Sequence, residues 1–398
     1  MKPHALALGA ALLLLPACRT AAPPAAPPAG AAPAESAAAA DPSERLVGAW
    51  RCASQGDVEG ALRLFRELDA AGWDVPPEPA DFPALAGNAE FAALCARIAA
   101  RAPQTRLSEV AVTIPEEGLI AEGIAADPRD GALFVGSIAK RKIVRVSPSG
   151  SAADFASGAA SGLGEVLGLK VDPARSLLWA VSNAKADAAA GTADRSTLHA
   201  FDLATGAPRR TALVDGPKHL LNDLAVAADG SVFVTDSEAG SVLRLPPGGD
   251  RLLPYREGAF RYPNGLALLD GALLVCDALG LWALDGPDAP PRRLLAPGGF
   301  PLGGIDGLSV RGRTLVAVQN SLGAARIVRV DVAPSARAVL RAQVLEAGNP
   351  LWRIPTTGAI RGDEYLYIGN SALDAHRDGE VTPAGRVPTR LHRLKMPS

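Results

Sequence analysis

The chain has 398 residues, enough for two domains, and its charge is nearly balanced, with 40 Lys and Arg against 42 Asp and Glu. That balance excludes a strongly basic nucleic-acid-binding surface, so we expect no nucleic-acid partner. The 41 Gly and 34 Pro predict many turns and therefore a β-rich body.

The first residues have the pattern of a targeting segment. Lys2 precedes an apolar stretch at 5–15, and Ala17 stands directly before Cys18. This pattern resembles a bacterial lipoprotein signal, which implies removal of residues 1–17 and lipidation of the Cys18 thiol. Arg19, rather than an aspartate, follows the cysteine, which favours the outer membrane. We therefore expect a lipid-anchored protein of the cell envelope, on the periplasmic face of the outer membrane. An ordinary secretory signal with a chance cysteine is the alternative.

Two segments separate this signal from the β-rich body. Residues 18–42 are rich in Ala and Pro and almost free of charge, which is typical of an extended tether. Residues 43–104 have helical periodicity, with Asp57 predicted to cap a helix and Gly72 to end it. The stretch 50–62 resembles a tetratricopeptide hairpin. Because one repeat cannot form a binding solenoid, the resemblance implies a small packing or docking module, and a protein partner for it stays open.

Three cysteines follow Cys18. Cys52 and Cys95 both fall in the helical segment, and an oxidising compartment favours a disulfide between them, with two buried free thiols as the alternative. Cys276 lies in a predicted strand. No Cys and His spacing in the chain indicates a zinc site.

A repeated β pattern fills residues 105–398. Each unit has an apolar run, a turn, a second run that ends in a small polar residue, and a third run. The units start about 40 to 55 residues apart, as propeller blades do. Six units predict a mainly β fold, a six-bladed propeller preceded by the small helical module. A spare strand at 106–114 is predicted to complete blade six and so remove the open sheet edges.

Polar side chains recur at two places in the unit, and a meander brings both places to the same rim of the central tunnel. The second runs end in small polar residues, which are either turn residues or rim groups that face a ligand: Ser137, Asn183, Asp236, Asp277, Asn320 and Asn370. The first runs begin with oxygen-bearing side chains: Glu122, Asn222, Asn264 and Asp306. Four oxygen donors around one axis predict a site for Ca²⁺ or another hard divalent cation.

The order Glu-Gly, Asn-Asp, Asn-Gly and Asp-Gly along these four motifs resembles the SMP-30/gluconolactonase/paraoxonase superfamily of six-bladed propellers. The resemblance covers 107–398 and implies a calcium ion with three of the residues as ligands: Glu122, Asn264 and Asp306. Asn222 would be a ligand or a substrate contact. The activity implied is metal-assisted hydrolysis of a small-molecule lactone or ester. A second ion is not expected, because Gly123 stands where the paraoxonase branch carries an acid.

The general base is harder to place from the sequence. Ala184 stands where the paraoxonase branch carries a histidine. Three residues are therefore candidates for the catalytic base: His219, Asp236 and Asp277. The alternative function is a non-catalytic, metal-stabilised propeller that binds a ligand or a protein. In either case the loops 185–196 and 372–388 are expected to line the mouth and set specificity.

Overall fold

The computed structural model describes residues 41–185, 194–216, 218–377 and 379–396. The predicted signal and nearly all of the predicted tether, residues 1–40, lie outside the described residues, as does most of the loop 185–196. Within the described ranges the protein is mainly β, with a small helical module followed by a propeller of six blades. None of the helices in these ranges is long and apolar enough to cross a membrane.

The helical module has its own apolar core. Its three α-helices, and the two 3₁₀ turns that join the second to the third, are α1 Ser43–Ser54, α2 Val58–Ala70, Pro79–Asp81, Pro83–Leu85 and α3 Ala89–Arg101. Asp57 caps α2 as predicted, because its Oδ1 accepts the backbone N–H of Gly60 at 2.8 Å. The rings of Phe65, Phe82 and Phe91 pack with centroids 5.0 to 5.7 Å apart at the centre of the module. The tetratricopeptide resemblance stays a prediction.

Cys52 and Cys95 are free thiols, so the disulfide that the sequence favoured is not formed. Both side chains pack against the apolar core of the helical module. Burial is the main cause that raises the pKa of each thiol, that of Cys95 to about 11. The two cysteines therefore act as small apolar residues that stay protonated. They are free thiols, as in the alternative interpretation of the sequence, but they are only partly buried.

The first five blades each use four consecutive antiparallel strands, ordered from the central tunnel outward. The strands of blades one to three are β2 Ala121–Ala126, β3 Leu133–Ser137, β4 Lys142–Val146, β5 Ala152–Ala156, β6 Glu165–Asp172, β7 Leu177–Ala184, β8 Arg195–Asp202, β9 Pro208–Leu213, β10 Leu221–Val226, β11 Val232–Asp236, β12 Ser241–Leu245 and β13 Leu253–Arg256. Those of blades four and five are β14 Leu266–Leu269, β15 Ala272–Cys276, β16 Leu281–Leu284, β17 Arg292–Leu294, β18 Ile305–Arg311, β19 Thr314–Gln319, β20 Arg326–Val332 and β21 Val339–Ala347.

Blade six closes the ring by combining both ends of the propeller. Its strands, from the tunnel outward, are β22 Gly358–Arg361, β23 Glu364–Ile368, β26 Pro388–Lys395 and β1 Glu109–Glu117. The predicted closing strand is thus confirmed as β1, which pairs antiparallel with the last strand of the chain. The loop 372–388 between β23 and β26 contains a short hairpin, β24 His376–Arg377 with β25 Glu380–Val381.

Apolar packing between neighbouring blades holds the ring together. Separate clusters of buried side chains lie at the blade interfaces, for example between blades one and two around Phe134 and Phe201, and between blades four and five around Leu274 and Val328. Each inner strand contacts the inner strands of both neighbouring blades, and β22 of blade six contacts β2 of blade one. The six inner strands enclose a tunnel with a cavity of about 280 Å³.

Candidate functional site

A β-bulge occurs at the same place in the inner strands. In blade one, Ala121 pairs with Ser137 and Ile124 pairs with Val135, so β2 uses one residue more than β3 between the two pairs, and Glu122 lies in this bulge. The same irregularity occurs in blades three and five at the positions of Asn222 and Asp306. In blade four, the backbone of Cys276 bonds both Asn264 and Gly265. A bulge redirects a side chain, so the repeated irregularity turns Glu122, Asn222 and Asp306 in the same way at the start of their inner strands.

The glycines that follow the oxygen-bearing residues are required by the close approach of neighbouring inner strands. A Cβ on Gly123 would lie 1.8 Å from the backbone O of Leu167 in blade two. A Cβ on Gly265 would lie 2.3 Å from the backbone O of Asp306 in blade five. The Glu-Gly, Asn-Gly and Asp-Gly pairs thus have a common physical basis. The first residue supplies an oxygen, and the glycine leaves room for the backbone of the next blade.

Three of the four predicted oxygen-bearing residues have a buried oxygen atom without a hydrogen-bond partner in the described part of the chain. These atoms are Glu122 Oε2, Asn264 Oδ1 and Asp306 Oδ1. Asn264 forms a side-chain hydrogen bond with Asp306, and Glu122 interacts electrostatically with Asp306. Glu122 and Asp306 are each only 6% exposed. Since buried polar atoms are normally paired, three unpaired oxygens near one another mark this rim as the strongest candidate for a cation site.

Burial also raises the pKa of the acidic groups at the rim. Loss of hydration raises the pKa of Glu122 well above its ordinary value, and repulsion from Asp306 and Asp223 adds to the shift. Burial likewise raises the pKa of Asp306, although the amides of Asn320 and Asn264 act in the opposite direction. Glu122 and Asp306 are both buried, and their negative charges repel each other. A bound cation would stabilise the charged form of both groups.

The donor set is mixed rather than purely acidic. In the described ranges of the chain, no group of three or more His, Cys, Asp or Glu side chains is placed to hold a metal ion. The rim instead offers two carboxylates and carboxamide oxygens. Such oxygens, completed by water, are the ligands of calcium and other hard cations, so the residues present fit an ion of this class better than a softer metal.

Asn222 and its neighbour Asp223 have different surroundings. The Asn222 amide donates to Ser237 Oγ at 3.0 Å, so its position is fixed by blade three. Asp223 Oδ1 accepts the N–H of Leu224 at 2.8 Å, and the carboxylate also accepts the N–H of Leu266 in blade four. Burial raises the pKa of Asp223. The Asp223 carboxylate therefore joins two blades, a role that its position in the sequence does not reveal.

His219 and Asp236, two of the predicted catalytic residues, are hydrogen-bonded to each other through His219 Nδ1 and Asp236 Oδ2. His219 Nε2 faces the backbone O of Asp215 at 3.0 Å. Asp236 Oδ1 also accepts the backbone N–H of Leu220 and of Ala239. Both nitrogens of the imidazole are thus held by groups of the protein, the Asp236 carboxylate and the backbone O of Asp215. The contacts describe a structural pair, and the catalytic role stays a prediction.

Asp277, the third predicted catalytic residue, is surrounded by donors. Its carboxylate accepts four hydrogen bonds, from the N–H groups of Arg261, Leu279 and Gly280 and from the Trp282 indole, at 2.8 to 2.9 Å. Other polar ends of the second strands also bond neighbouring backbone, as Asn183 does with Leu221 and Asn370 with Pro388. These hydrogen bonds to nearby backbone are those expected of turn residues at strand ends, rather than of groups that face a ligand.

Tyr262 is a site residue that the sequence did not reveal. Its φ is +55°, a left-handed conformation that bulky residues rarely adopt, and it lies two residues before Asn264. Burial raises the pKa of its phenol to about 12, and the nearby charges of Glu238, Asp306 and Glu122 add to the shift. The positive φ of Gly304, two residues before Asp306, repeats the backbone geometry. No pattern in the sequence distinguishes such a tyrosine from a loop residue.

Comparison with solved structures identifies the fold. The chain is similar to the PQQ-bound aldose sugar dehydrogenase of Streptomyces coelicolor, with 18% identity and a TM-score of 0.52 over 74% of this chain and 100% of that one. An oxidoreductase (glucose dehydrogenase) of Thermus thermophilus has 19% identity and a TM-score of 0.51 over 72% and 99% of the two chains. A gluconolactonase of Xanthomonas campestris has 20% identity and a TM-score of 0.48 over 72% and 89%.

No protein-family model matches the chain, and the search of curated proteins finds no match either. At 18% and 19% identity, the similarity to the two dehydrogenase structures shows the propeller fold alone, because this fold carries unrelated activities. The function must therefore be argued from the site itself.

Proposed function

We propose that the protein is a calcium-dependent hydrolase of a lactone or small ester, with the cation held by Glu122, Asn264 and Asp306 and with Asn222 as a further ligand or substrate contact. One observation carries the proposal: three buried oxygens at the tunnel rim have no protein partner. Two of them belong to carboxyl groups whose pKa is raised by burial, which is the environment that a bound divalent cation relieves.

The chain's own residues would organise the reaction at this rim. Ca²⁺ held by Glu122, Asn264 and Asp306 would supply a Lewis acid for the substrate carbonyl. Asn320 holds Oδ2 of Asp306, which leaves Oδ1 unpaired toward the site. The phenol of Tyr262, which is protonated at neutral pH and whose pKa burial raises further, can donate a hydrogen bond to a substrate oxygen. The general base is not assigned, because the three predicted candidates are all bonded to structural partners.

Those same contacts support the second candidate function, a non-catalytic propeller in which a cation stiffens the ring around a ligand-binding mouth. His219, Asp236 and Asp277 would then be purely structural. The cation site would still be present in this case. Only turnover separates the two functions, because both predict calcium binding.

The deciding experiment measures calcium binding and hydrolysis on the same protein. Isothermal titration with CaCl₂ follows binding, and a pH-stat assay follows hydrolysis of γ-lactones, δ-lactones and aryl esters with and without chelator. We expect Asp306→Asn to weaken Ca²⁺ binding by on the order of 100-fold, because it removes a ligand charge. Asp331→Asn in the same blade is the matched control, since Asp331 bonds Thr314 and Arg329 rather than the rim.

The outcomes separate the possibilities. Hydrolysis that is lost in chelator, restored by Ca²⁺ and lost in Asp306→Asn supports the hydrolase. Calcium binding without turnover of any substrate in the panel supports the binding propeller. Failure of the wild-type protein to bind a hard divalent cation rejects both.

We also propose that Cys18 carries a lipid and that residues 18–42 tether the protein to the periplasmic face of the outer membrane. The sequence pattern is the support, since these residues lie almost entirely outside the described ranges. Mass spectrometry of protein from bacterial membranes tests it. A diacylglyceryl adduct on Cys18 that is absent in Cys18→Ser is expected, and an unmodified thiol would reject the anchor.

A further inference from the structure

The helical module docks on the face of the propeller that carries the tunnel mouth. Asp41 Oδ2 accepts the backbone N–H of Leu302 at 3.1 Å, and Ser43 Oγ accepts that of Gly303 at 3.1 Å. Asp41, Ser43 and Leu302 are almost completely buried. Leu302 and Gly303 lead directly into β18, the strand that carries Asp306, so the module holds the segment that enters the site.

A second segment of the mouth is also held by the module. The loop 320–324 follows β19, and its Leu322 is 2% exposed because it packs into the apolar core of the helical module. Ala324 in the same loop donates its N–H to the backbone O of Pro76 at 2.8 Å. This loop begins with Asn320, the residue that bonds Asp306.

Buried Arg326 connects the two segments to the module through an ion pair with the half-buried Asp74 and through a hydrogen bond with Gln319. Arg326 is 2% exposed, and its Nη1 donates to Asp74 Oδ1 of the module at 3.1 Å. Its Nε donates to Gln319 Oε1 at 2.5 Å, and Gln319 Nε2 donates to the backbone O of Gly303 at 2.6 Å. Charge-assisted bonds from a buried guanidinium are costly to break, so these contacts connect the two segments to the module.

We propose that the helical module positions the cation site: by immobilising 301–304 and 320–324, it fixes Asn320, and Asn320 fixes which oxygen of Asp306 faces the tunnel. Asn320 Nδ2 donates to Asp306 Oδ2 at 2.5 Å, and its own Oδ1 accepts the Ser321 hydroxyl at 2.8 Å. Leu322 is then a positioning residue that acts through Asn320. This inference rests on the proposed cation site, and it gives the module a role beyond packing or partner recognition.

The test compares two truncations of buried side chains in mouth loops. Leu322→Ala weakens the docking of the module, whereas Ile138→Ala is the control. Ile138 is 6% exposed in the loop after β3 of blade one and packs in an apolar cluster away from the helices. Titration of full-length protein with CaCl₂ should show about tenfold weaker binding in Leu322→Ala and a change of less than about twofold in Ile138→Ala. Leu322→Met, which nearly keeps the side-chain volume, should recover most of the affinity.

Each outcome decides the proposal. Equal calcium affinities in the two alanine variants overturn it. If Leu322→Ala does not fold, Asp74→Asn weakens the same docking through Arg326 and is compared with Ile138→Ala in the same titration. If wild-type protein binds no Ca²⁺, the proposed function fails, and hydrogen exchange of the β18 amides then decides the inference alone. Faster exchange in Leu322→Ala than in Ile138→Ala supports positioning, and equal protection rejects it.

Discussion

Asn320 and Asp306 are joined by a hydrogen bond of 2.5 Å from Nδ2 to Oδ2, and the same amide nitrogen also donates to the backbone O of Pro355 in the segment before β22, at 2.9 Å. One side chain thus ties blade five to blade six and leaves a single oxygen of Asp306 unpaired. Replacing a residue that hydrogen-bonds and orients a metal ligand typically weakens metal binding by about 10 to 100-fold.

We therefore expect Asn320→Ala to weaken Ca²⁺ binding by about 10 to 100-fold, because Asp306 loses the donor that orients it. Asn370 is the matched control, since it occupies the same place in blade six and bonds Pro388 and Arg390 rather than a rim carboxylate. Asn370→Ala should lower the melting temperature but leave the calcium affinity within about twofold. Similar losses of affinity in both variants would contradict the assignment. Calorimetric titration and thermal unfolding measure the two effects.

The close approach of the inner strands predicts a large cost for a methyl group at Gly123. A Cβ there would lie 1.8 Å from Leu167 O, and because the obstacle is backbone of the next blade, it cannot move aside easily. Gly123→Ala should lower the free energy of unfolding by about 3 kcal/mol. Gly286→Ala is the control, because no atom lies within 4 Å of its Cβ position, and it should change stability by less than about 0.5 kcal/mol. Equal urea midpoints for the two variants would count against the packing argument.

His199 makes stability depend on pH. Burial, with a smaller contribution from Arg195, lowers the pKa of this histidine to about 4, whereas an unfolded histidine titrates near 6.5. Between these values the unfolded chain binds a proton that the folded chain does not, so stability falls as pH falls from about 6.5 to 4 and is unaffected above that range. The full loss amounts to about 3 kcal/mol.

Denaturant titrations across this pH range measure the effect. His199→Gln keeps a group that can bond Ser182 but removes the titration, so its stability should fall less steeply with acid than that of the wild type. A residual slope is expected, because burial also lowers the pKa of His376 and of His392. Parallel pH profiles for wild type and His199→Gln would show that His199 does not cause the loss.

A substitution of Asp277 can decide whether this residue has a structural role or acts as the general base. Its Oδ1 accepts three of the four hydrogen bonds to this carboxylate, and an amide at this position would point N–H groups at N–H donors. We expect Asp277→Asn to lower the free energy of unfolding by about 2 kcal/mol while the folded fraction keeps its turnover rate within about threefold. A drop of more than about 100-fold in kcat at an unchanged melting temperature would instead identify Asp277 as the general base.

The fold could be predicted from the sequence because its signals are local. Alternating apolar runs, turns and polar strand ends recur in every blade, and the outcome is confirmed down to the closing strand β1. The Asp57 helix cap is equally local and is also confirmed. The Cys52–Cys95 bridge was wrong, since shared membership of one helical segment does not bring two thiols together.

The candidate site could be predicted only in part. Glu122, Asn264 and Asp306 stand out in the sequence because each of their repeats presents an oxygen at the same place, and in the structure each has a buried oxygen without a hydrogen-bond partner. Tyr262 and the cross-blade bonds of Asp223 could not be found in this way, since a left-handed φ and a contact with the next blade leave no periodic trace.

By itself the sequence determined the number of blades, the helical module and which residues carry oxygen, because propensity, turns and repeat spacing act between near neighbours along the chain. Only the tertiary structure decided that the module rests on the tunnel mouth, that His219 and Asp236 bond each other, and that one oxygen of Asp306 stays unpaired. These features depend on contacts between segments up to 261 residues apart in the sequence. Such segments meet only because the folded chain is closely packed.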